Sequence, residues 1–175
     1  MPESTMALSA ALSGIPELAR ACADRDPQAL FSAVDEYARL LLRQTLCTVN
    51  RYEPEGERLI RLYSSNPSSY PVGGSKDKSG SAWGRQVLHE RRLFIGEGEE
   101  AIRQSFDDHT VIHKLGLRSV INVPIVAQDT CLGTLNFLMR TAVVDASMIQ
   151  WAQLAGLLAT PGFLTLYCGR LPSGQ

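Results

Sequence analysis

A chain of 175 residues is long enough for one folded domain and short for two. Hydrophobic residues make up 45% and charged residues 20%, an ordinary balance for a globular chain able to bury a real core. Seventeen basic against eighteen acidic side chains leave a net charge of -1, so the composition carries no electrostatic footprint for nucleic acid or an anionic membrane, and neither is expected as a partner.

The first fourteen residues lack a basic segment followed by a continuous apolar core, so no secretory signal is read there. No uninterrupted apolar run approaches the ~20 residues needed to span a bilayer, and the expected location is the cytoplasm. Cys22, Cys47, Cys131 and Cys168 lie far apart with no C-x-x-C pair, so the sequence encodes no local zinc knuckle or redox dithiol. Cys47 and Cys131 sit inside apolar strands, where a buried thiol behaves as a small hydrophobe.

Residues 1–25 read as an N-terminal extension, frayed at first, with a short helix over Ile15 to Ala23 that places Pro16 in its first turn. Asp26-Pro27 marks a stronger helix start and opens the main domain, expected over residues 26–165 with a tail at 166–175. From there Leu30, Val34, Tyr37 and Leu41 recur at helical spacing, and Phe31, Ala38 and Leu42 widen the stripe. Leu46 to Tyr52 and Glu57 to Ser64 read as a hairpin turned by Glu-Pro-Glu-Gly. Ser65 to Ser79, rich in Ser, Gly and Pro, offers no repeating apolar face and is expected to be a mobile lid or disordered. Helical patterning resumes from Gly80 to Arg91, and Leu93 to Ile95 gives a short strand. Glu99 to Phe106 is a second helix, and Asp107 or Asp108 can cap a third that stops at Gly116. Ser119 to Met139 is two apolar strands about a polar break. A last helix follows Asp145 and is expected to end at the Pro161-Gly162 breaker.

Strands that return as hairpins imply an antiparallel sheet, so the fold class is α+β, with the two long terminal helices free to pack together on one face. A concave, partly apolar chamber between the other face and the short middle helices is the natural ligand site.

The run GSAWGRQVLHERRLFIGEGEEAIRQSFDDHTVIHKLGLRSVINVPIVAQDTCLGTLNFL resembles the second half of a GAF domain, with its Val-Pro-Ile and Leu-Gly-Thr-Leu hairpin strands. The resemblance extends from about Pro27 to Phe163, is closest to short bacterial stand-alone GAF proteins, and implies a PAS-related sheet. It also implies small-molecule sensing and a homodimer through the terminal helices; with no DNA-binding, kinase or cyclase domain read in the sequence, the signal is expected to pass to a separate signalling protein or through self-association. The patterns of cyclic-nucleotide-binding relatives and the Cys-His pair of bilin-binding relatives are missing. The enzyme relative, free methionine-R-sulfoxide reductase, needs a nucleophilic cysteine in segments that here, at Gly80 to Leu88 and Glu97 to Ser119, contain none.

Eight residues are candidates for lining the chamber. Trp83 and Phe94 can supply an aromatic wall or simply fill core. Ile102, Phe106, His109 and His113 follow helical spacing if their segment is continuous, which points Phe106 and His109 inward. His109 and His113 with Asp108 have a metal-like spacing, but capping by Asp108 is the preferred reading and no metal or other cofactor is identified. Arg85, Arg91 and Arg92 read as solvated. A two-residue turn at Gln128-Asp129 places Asn122 opposite Leu135, so Ser119, Ile121, Thr134 and Asn136 share one face, and the two asparagines part unless a bulge intervenes. No hydrolase elbow, P-loop or zinc-protease motif occurs. The expected function is a non-enzymatic sensor of an unidentified small molecule, with a thiol-dependent enzyme or a ligand-free dimerisation module as alternatives.

Overall fold

The computed structural model describes residue 9 and residues 11–168; the expected fraying of the first residues and the tail beyond residue 168 lie outside the described residues. Asp26 begins the first long helix as its chemistry predicts. Its carboxylate accepts the Gln28 amide at 3.0 Å, and Pro27, which has no N–H to lose, occupies the first turn. This helix, α2 (Pro27–Leu42), follows the shorter α1 (Ile15–Ala23) and buries Leu30, Phe31, Val34, Ala38 and Leu42. It stops at Arg43, which takes a left-handed conformation.

Six strands follow: β1 (Leu46–Glu53), β2 (Arg58–Ser64), β3 (Ser75–Asp77), β4 (Phe94–Glu97), β5 (Ser119–Ala127) and β6 (Thr130–Met139). They form one sheet in the order β3-β2-β1-β6-β5-β4, and every neighbouring pair is antiparallel. Between β3 and β4 lies α3 (Ala82–Gly84), which widens into a π-helical turn over Arg85–His89; α4 (Gly98–Ser105) and α5 (His109–Lys114) separate β4 from β5. The last helix, α6 (Ala146–Cys168), packs with α2 on one face of the sheet.

Two departures from the sequence expectations have tertiary causes. The segment 65–79 is not a free lid. Ser75–Asp77 pairs with Arg58–Ile60 as an edge strand, and Tyr70 is buried ahead of it. Asn66 closes the turn between them, its side-chain oxygen accepting the Ser69 amide at 3.2 Å and its carbonyl accepting the Tyr70 amide at 2.9 Å. Nor does α6 end at Pro161-Gly162; the helix carries Pro161 in its interior. Phe163, beyond the proline, is fully buried and meets Phe31 edge-on at 5.4 Å, and the Tyr167 hydroxyl donates to the carbonyls of Tyr52 and Leu132. Burying one such ring contributes about 1.5–3 kcal/mol, comparable to the ~3 kcal/mol that an interior proline costs, so packing can carry the helix through.

The helix side of the sheet is the main core, built from Cys47, Val49, Ile121, Val123, Leu135 and Phe137 against both long helices. Gly133 is a forced choice within it, because a Cβ there would stand 2.0 Å from the Asn50 carbonyl oxygen and 2.5 Å from the Phe163 ring. The opposite side of the sheet carries smaller apolar clusters around Ile112, Val120 and Leu138, and around Trp83, Val87 and Leu88.

Candidate functional site

The second face is selected by two bulges. In the β5–β6 hairpin the turn at Gln128 and Asp129 has both residues at positive φ, 48° and 58°, the backbone of a tight type I′ connection. Ala127 then pairs with Thr130 and Val126 with Cys131, but Ile125 pairs with Gly133, leaving Leu132 as the extra residue. From there on every β6 side chain is reversed relative to the unbulged register. Asn122 therefore faces Asn136, not Leu135, and both asparagines lie on the same side. A second irregularity, between Val49 and Asn50, leaves Leu62 of β2 extra and sets Arg61 opposite Asn50.

The result is a floor of amides and hydroxyls. Trp83 Nε1 donates to Asn122 Oδ1 at 2.8 Å, and Asn122 Nδ2 donates to Asn136 Oδ1 at 2.8 Å. Asn136 Nδ2 donates in turn to Thr48 Oγ1 at 3.1 Å and Thr134 Oγ1 at 3.2 Å, with the Thr48 carbonyl at 3.3 Å. Asn50 Nδ2 donates to Thr134 Oγ1 at 3.3 Å. Buried amides of this kind are tolerated because their bonds to one another replace those lost to water.

Above the floor is a cavity of about 50 Å³, closed by Tyr70, Trp83, Phe106 and Ile112. At ~10–15 Å³ for each water-sized group it holds about four of them, far short of the ~300–1,000 Å³ of a drug-sized pocket. The chamber is thus nearly filled by its own side chains, and any larger ligand must move the cover. A wider open groove of about 470 Å³ runs between β5 and α6, but its two cations are already paired, Arg91 with Asp129 and Arg92 with Glu90.

The small cavity is strongly electropositive. Arg61, Lys76 and Lys78 line it against a single carboxylate, Asp108. Lys76 Nζ holds Asp108 at 2.7 Å, which neutralises that pair. Burial pushes Asp108 upward, but the Lys76 ammonium and hydrogen bonding outweigh it and leave the carboxyl below its ordinary range. Arg61 lies over the Tyr70 ring at 5.0 Å and donates from one terminal nitrogen to the Pro71 carbonyl at 3.0 Å, while its buried Nε has no partner. Lys78 is 7% exposed, and its ammonium stands 5.2 Å from the Trp83 ring and 6.0 Å from Phe106, with no hydrogen bond or ion pair among the described residues. Desolvation lowers the pKa of both cations, and for Lys78 the neighbouring Lys76 adds to it, while Asp107, Asp108 and Asp77 oppose it through space. A desolvated cation–π contact contributes about 2 kcal/mol, against several kcal/mol to remove an ammonium from water, so the rings alone do not offset the burial of Lys78.

Of the eight residues singled out from sequence, Trp83, Phe106 and Asn136 line the cavity. Thr134 lies on the same side, beneath Asn136. Phe94 stands behind the wall, edge-on to Phe106 at 5.7 Å. Ser119 and Ile121 are on the helix side, separated from Thr134 and Asn136 by the bulge, which overturns the common face read from sequence. His109 is half-buried outside the lining, because Phe106 is extended at φ −133°, ψ 124° and breaks the assumed continuous helix into α4 and α5. Asp108 flanks α5 but makes no side-chain cap, its carboxylate being committed to Lys76. Among the described residues no three His, Cys, Asp or Glu side chains converge as a metal set, and no helix is long and apolar enough to cross a membrane. Sequence reasoning missed Arg61, Lys76, Lys78, Asn50 and Asn122. The available signals were the i, i+2 spacing of the two lysines, which a strand sends to one face, and a lone arginine within the apolar run of β2.

The fold recurs in solved structures. The chain matches the GAF domain of a Coxiella burnetii phosphoenolpyruvate-protein phosphotransferase with a TM-score of 0.74 at 14% identity, covering 95% of this chain and 98% of that one. It has the fold of a GAF domain. The GAF domain of the Acinetobacter phosphoenolpyruvate-protein phosphotransferase gives a TM-score of 0.71 at 15% identity over the same shares. The GAF domain of a Bacillus halodurans two-component sensor histidine kinase gives 0.66 at 12%, covering 80% of this chain and 95% of that one. No sequence-family model and no curated protein matches the chain. The likeness to GAF domains is therefore one of fold, carried by burial pattern and topology at low identity.

Proposed function

We propose that this GAF-fold chain is a non-enzymatic sensor of a small molecule, which it binds on the amide floor beneath Tyr70, Phe106 and Ile112. The observation that carries this reading is the cavity itself, a polar and electropositive pocket inside a face that could have been packed with apolar side chains. Thiol chemistry is disfavoured by the positions of Cys47 and Cys131. Neither lines the cavity, and burial pushes both thiols up, Cys131 to about 11.

A route for the signal runs through the sheet. Thr48, Asn122 and Asn136 face the cavity, and their chain neighbours Val49, Ile121, Leu135 and Phe137 belong to the core under α2 and α6. Leu40 on α2 and Leu157 on α6 stand 56% and 72% exposed, which supports self-association or docking of a separate signalling protein on the terminal helices. The test is native mass spectrometry of freshly purified protein, joined to thermal denaturation against a panel of small metabolites. A retained or stabilising compound that also slows hydrogen exchange across 65–79 and 106–115 is expected. Absence of both a retained mass and any stabilising compound would refute the sensor assignment.

A further inference from the structure

The cavity has a chemical preference that its fold does not dictate. We propose that it takes a small oxyanion, a carboxylate or phosphate group of about four or five non-hydrogen atoms, with Lys78 and Arg61 as its cationic partners; this rests on the sensor reading above.

Three observations converge on that ligand. Lys76 and Asp108 pair with each other, which leaves Arg61 and Lys78 on the lining without an ion pair among the described residues. Lys78 is more than nine-tenths buried, its ammonium faces the Trp83 and Phe106 rings that wall the same cavity, and it makes no hydrogen bond or ion pair among the described residues. The Nε of Arg61 is likewise buried and unbonded. An ammonium with no protein acceptor and a guanidinium with a single one, Pro71, on the lining of one cavity are completed by an anion, and the oxygens of a carboxylate or phosphate suit both. The hydroxyls and amides of the floor, Thr48, Asn50 and Asn122 among them, offer further donors to an oxyanion. Size sets the other limit. A volume of about 50 Å³ admits acetate or phosphate with the cover in place, whereas a nucleotide or a bilin requires the cover to be displaced.

The test is thermal denaturation and titration calorimetry of the whole chain with sodium acetate, sodium phosphate and acetamide, the neutral counterpart of acetate, with ionic strength held constant by sodium chloride. The expected result is a saturable rise in Tm with acetate, phosphate or both, and none with acetamide; the first two probes distinguish a carboxylate from a phosphoryl ligand. Lys78→Met is expected to be folded, with a higher Tm than the wild type in the absence of anion, and to bind the effective anion at least tenfold more weakly. Arg61→Gln provides an independent variant with the same expected loss of binding. Acetamide acting as strongly as acetate, or wild-type affinity in both variants, overturns the oxyanion proposal while leaving a sensor of neutral molecules intact. No response to any of the three probes overturns it as well, and the sensor reading falls with it only if the metabolite panel and native mass spectrometry are also blank.

Discussion

Asn122→Ala tests the register on which the site depends. In the bulged hairpin, Asn122 accepts from Trp83 Nε1 and donates to Asn136 Oδ1, both at 2.8 Å and both buried. Truncation leaves an indole N–H and an amide oxygen without partners on a face 5% exposed at Trp83. Each orphaned group costs about 1–3 kcal/mol, so the variant is expected to lose about 2–6 kcal/mol. For a domain of this size ~1 kcal/mol shifts Tm by about 2–4 °C, which gives a fall of about 4–24 °C. Urea denaturation followed by tryptophan fluorescence and by circular dichroism supplies the free energies. A cycle with Asn136→Ala then isolates the cross-strand contact that the bulge creates, and a coupling of about 1–2 kcal/mol is expected between the two sites. If the hairpin were unbulged, Leu135 would lie opposite Asn122 and Asn136 would turn to the helix side. A coupling under ~0.5 kcal/mol would refute the register, and the amide floor with it.

Three further outcomes follow from particular contacts. Gly133→Ala sets a Cβ 2.0 Å from a backbone oxygen, which cannot yield as a flexible side chain would, so its cost is expected to reach or exceed the ~3 kcal/mol upper end of ordinary overpacking; a urea midpoint equal to wild type would contradict this. Timed alkylation with peptide mapping is expected to label exposed Cys22 in the native protein at pH 8 and to label Cys47 and Cys131 only on unfolding, because both are buried with raised pKa; native labelling of Cys131 at the rate of Cys22 would count against that burial. Lys78 has a lowered pKa in the fold, chiefly through desolvation, so the unfolded chain holds this proton more tightly. Its charge therefore opposes folding at pH 7, and the penalty is relieved as pH rises through the folded-state pKa toward the ordinary 10.5. Lys78→Met is accordingly expected to be more stable than wild type at pH 7, by a margin that narrows with rising pH; a margin independent of pH would exclude Lys78 as its source.

The architecture was legible because each long element announces itself. Asp26-Pro27 starts a helix, the stripe from Leu30 to Leu42 gives it a face, and Ser119 to Met139 is apolar on both sides of a two-residue turn. What stayed illegible depended on a single residue of register or on partners distant in sequence. Nothing local marks Leu132 as extra, yet it reverses Asn136 relative to Ile121. Pro161 has the signature of a stop, and only the pocket that receives Phe163 beside Phe31 explains why the helix continues. Asp108 looks like a cap until Lys76, thirty-two residues earlier in the chain, is seen to claim it. Phe106 and His109 have helical spacing, but the extended backbone at Phe106 divides their segment.

The local rules are broken unevenly, and where they break is informative. The helix side of the sheet is packed by apolar side chains alternating inward under α2 and α6, with the buried oxygens Gln44 Oε1 and Ser119 Oγ unpartnered there among the described residues. Among the described residues its one buried carboxylate, Asp35, is fully engaged, accepting from Gln44 at 2.9 Å, Tyr63 at 2.8 Å and Arg39 at 3.0 Å. The cavity side holds an ammonium with no hydrogen bond or ion pair among the described residues, a guanidinium half satisfied and a chain of amides where leucines would pack. A face kept only for packing gains stability when such groups are replaced by apolar ones, since uncompensated buried charge costs more than the surrounding rings return. Asp35 shows that this sequence can pair a buried charge completely. Leaving Lys78 and Arg61 incomplete a few residues from an open volume is what a binding site requires, because the missing acceptors are then the ligand's to supply.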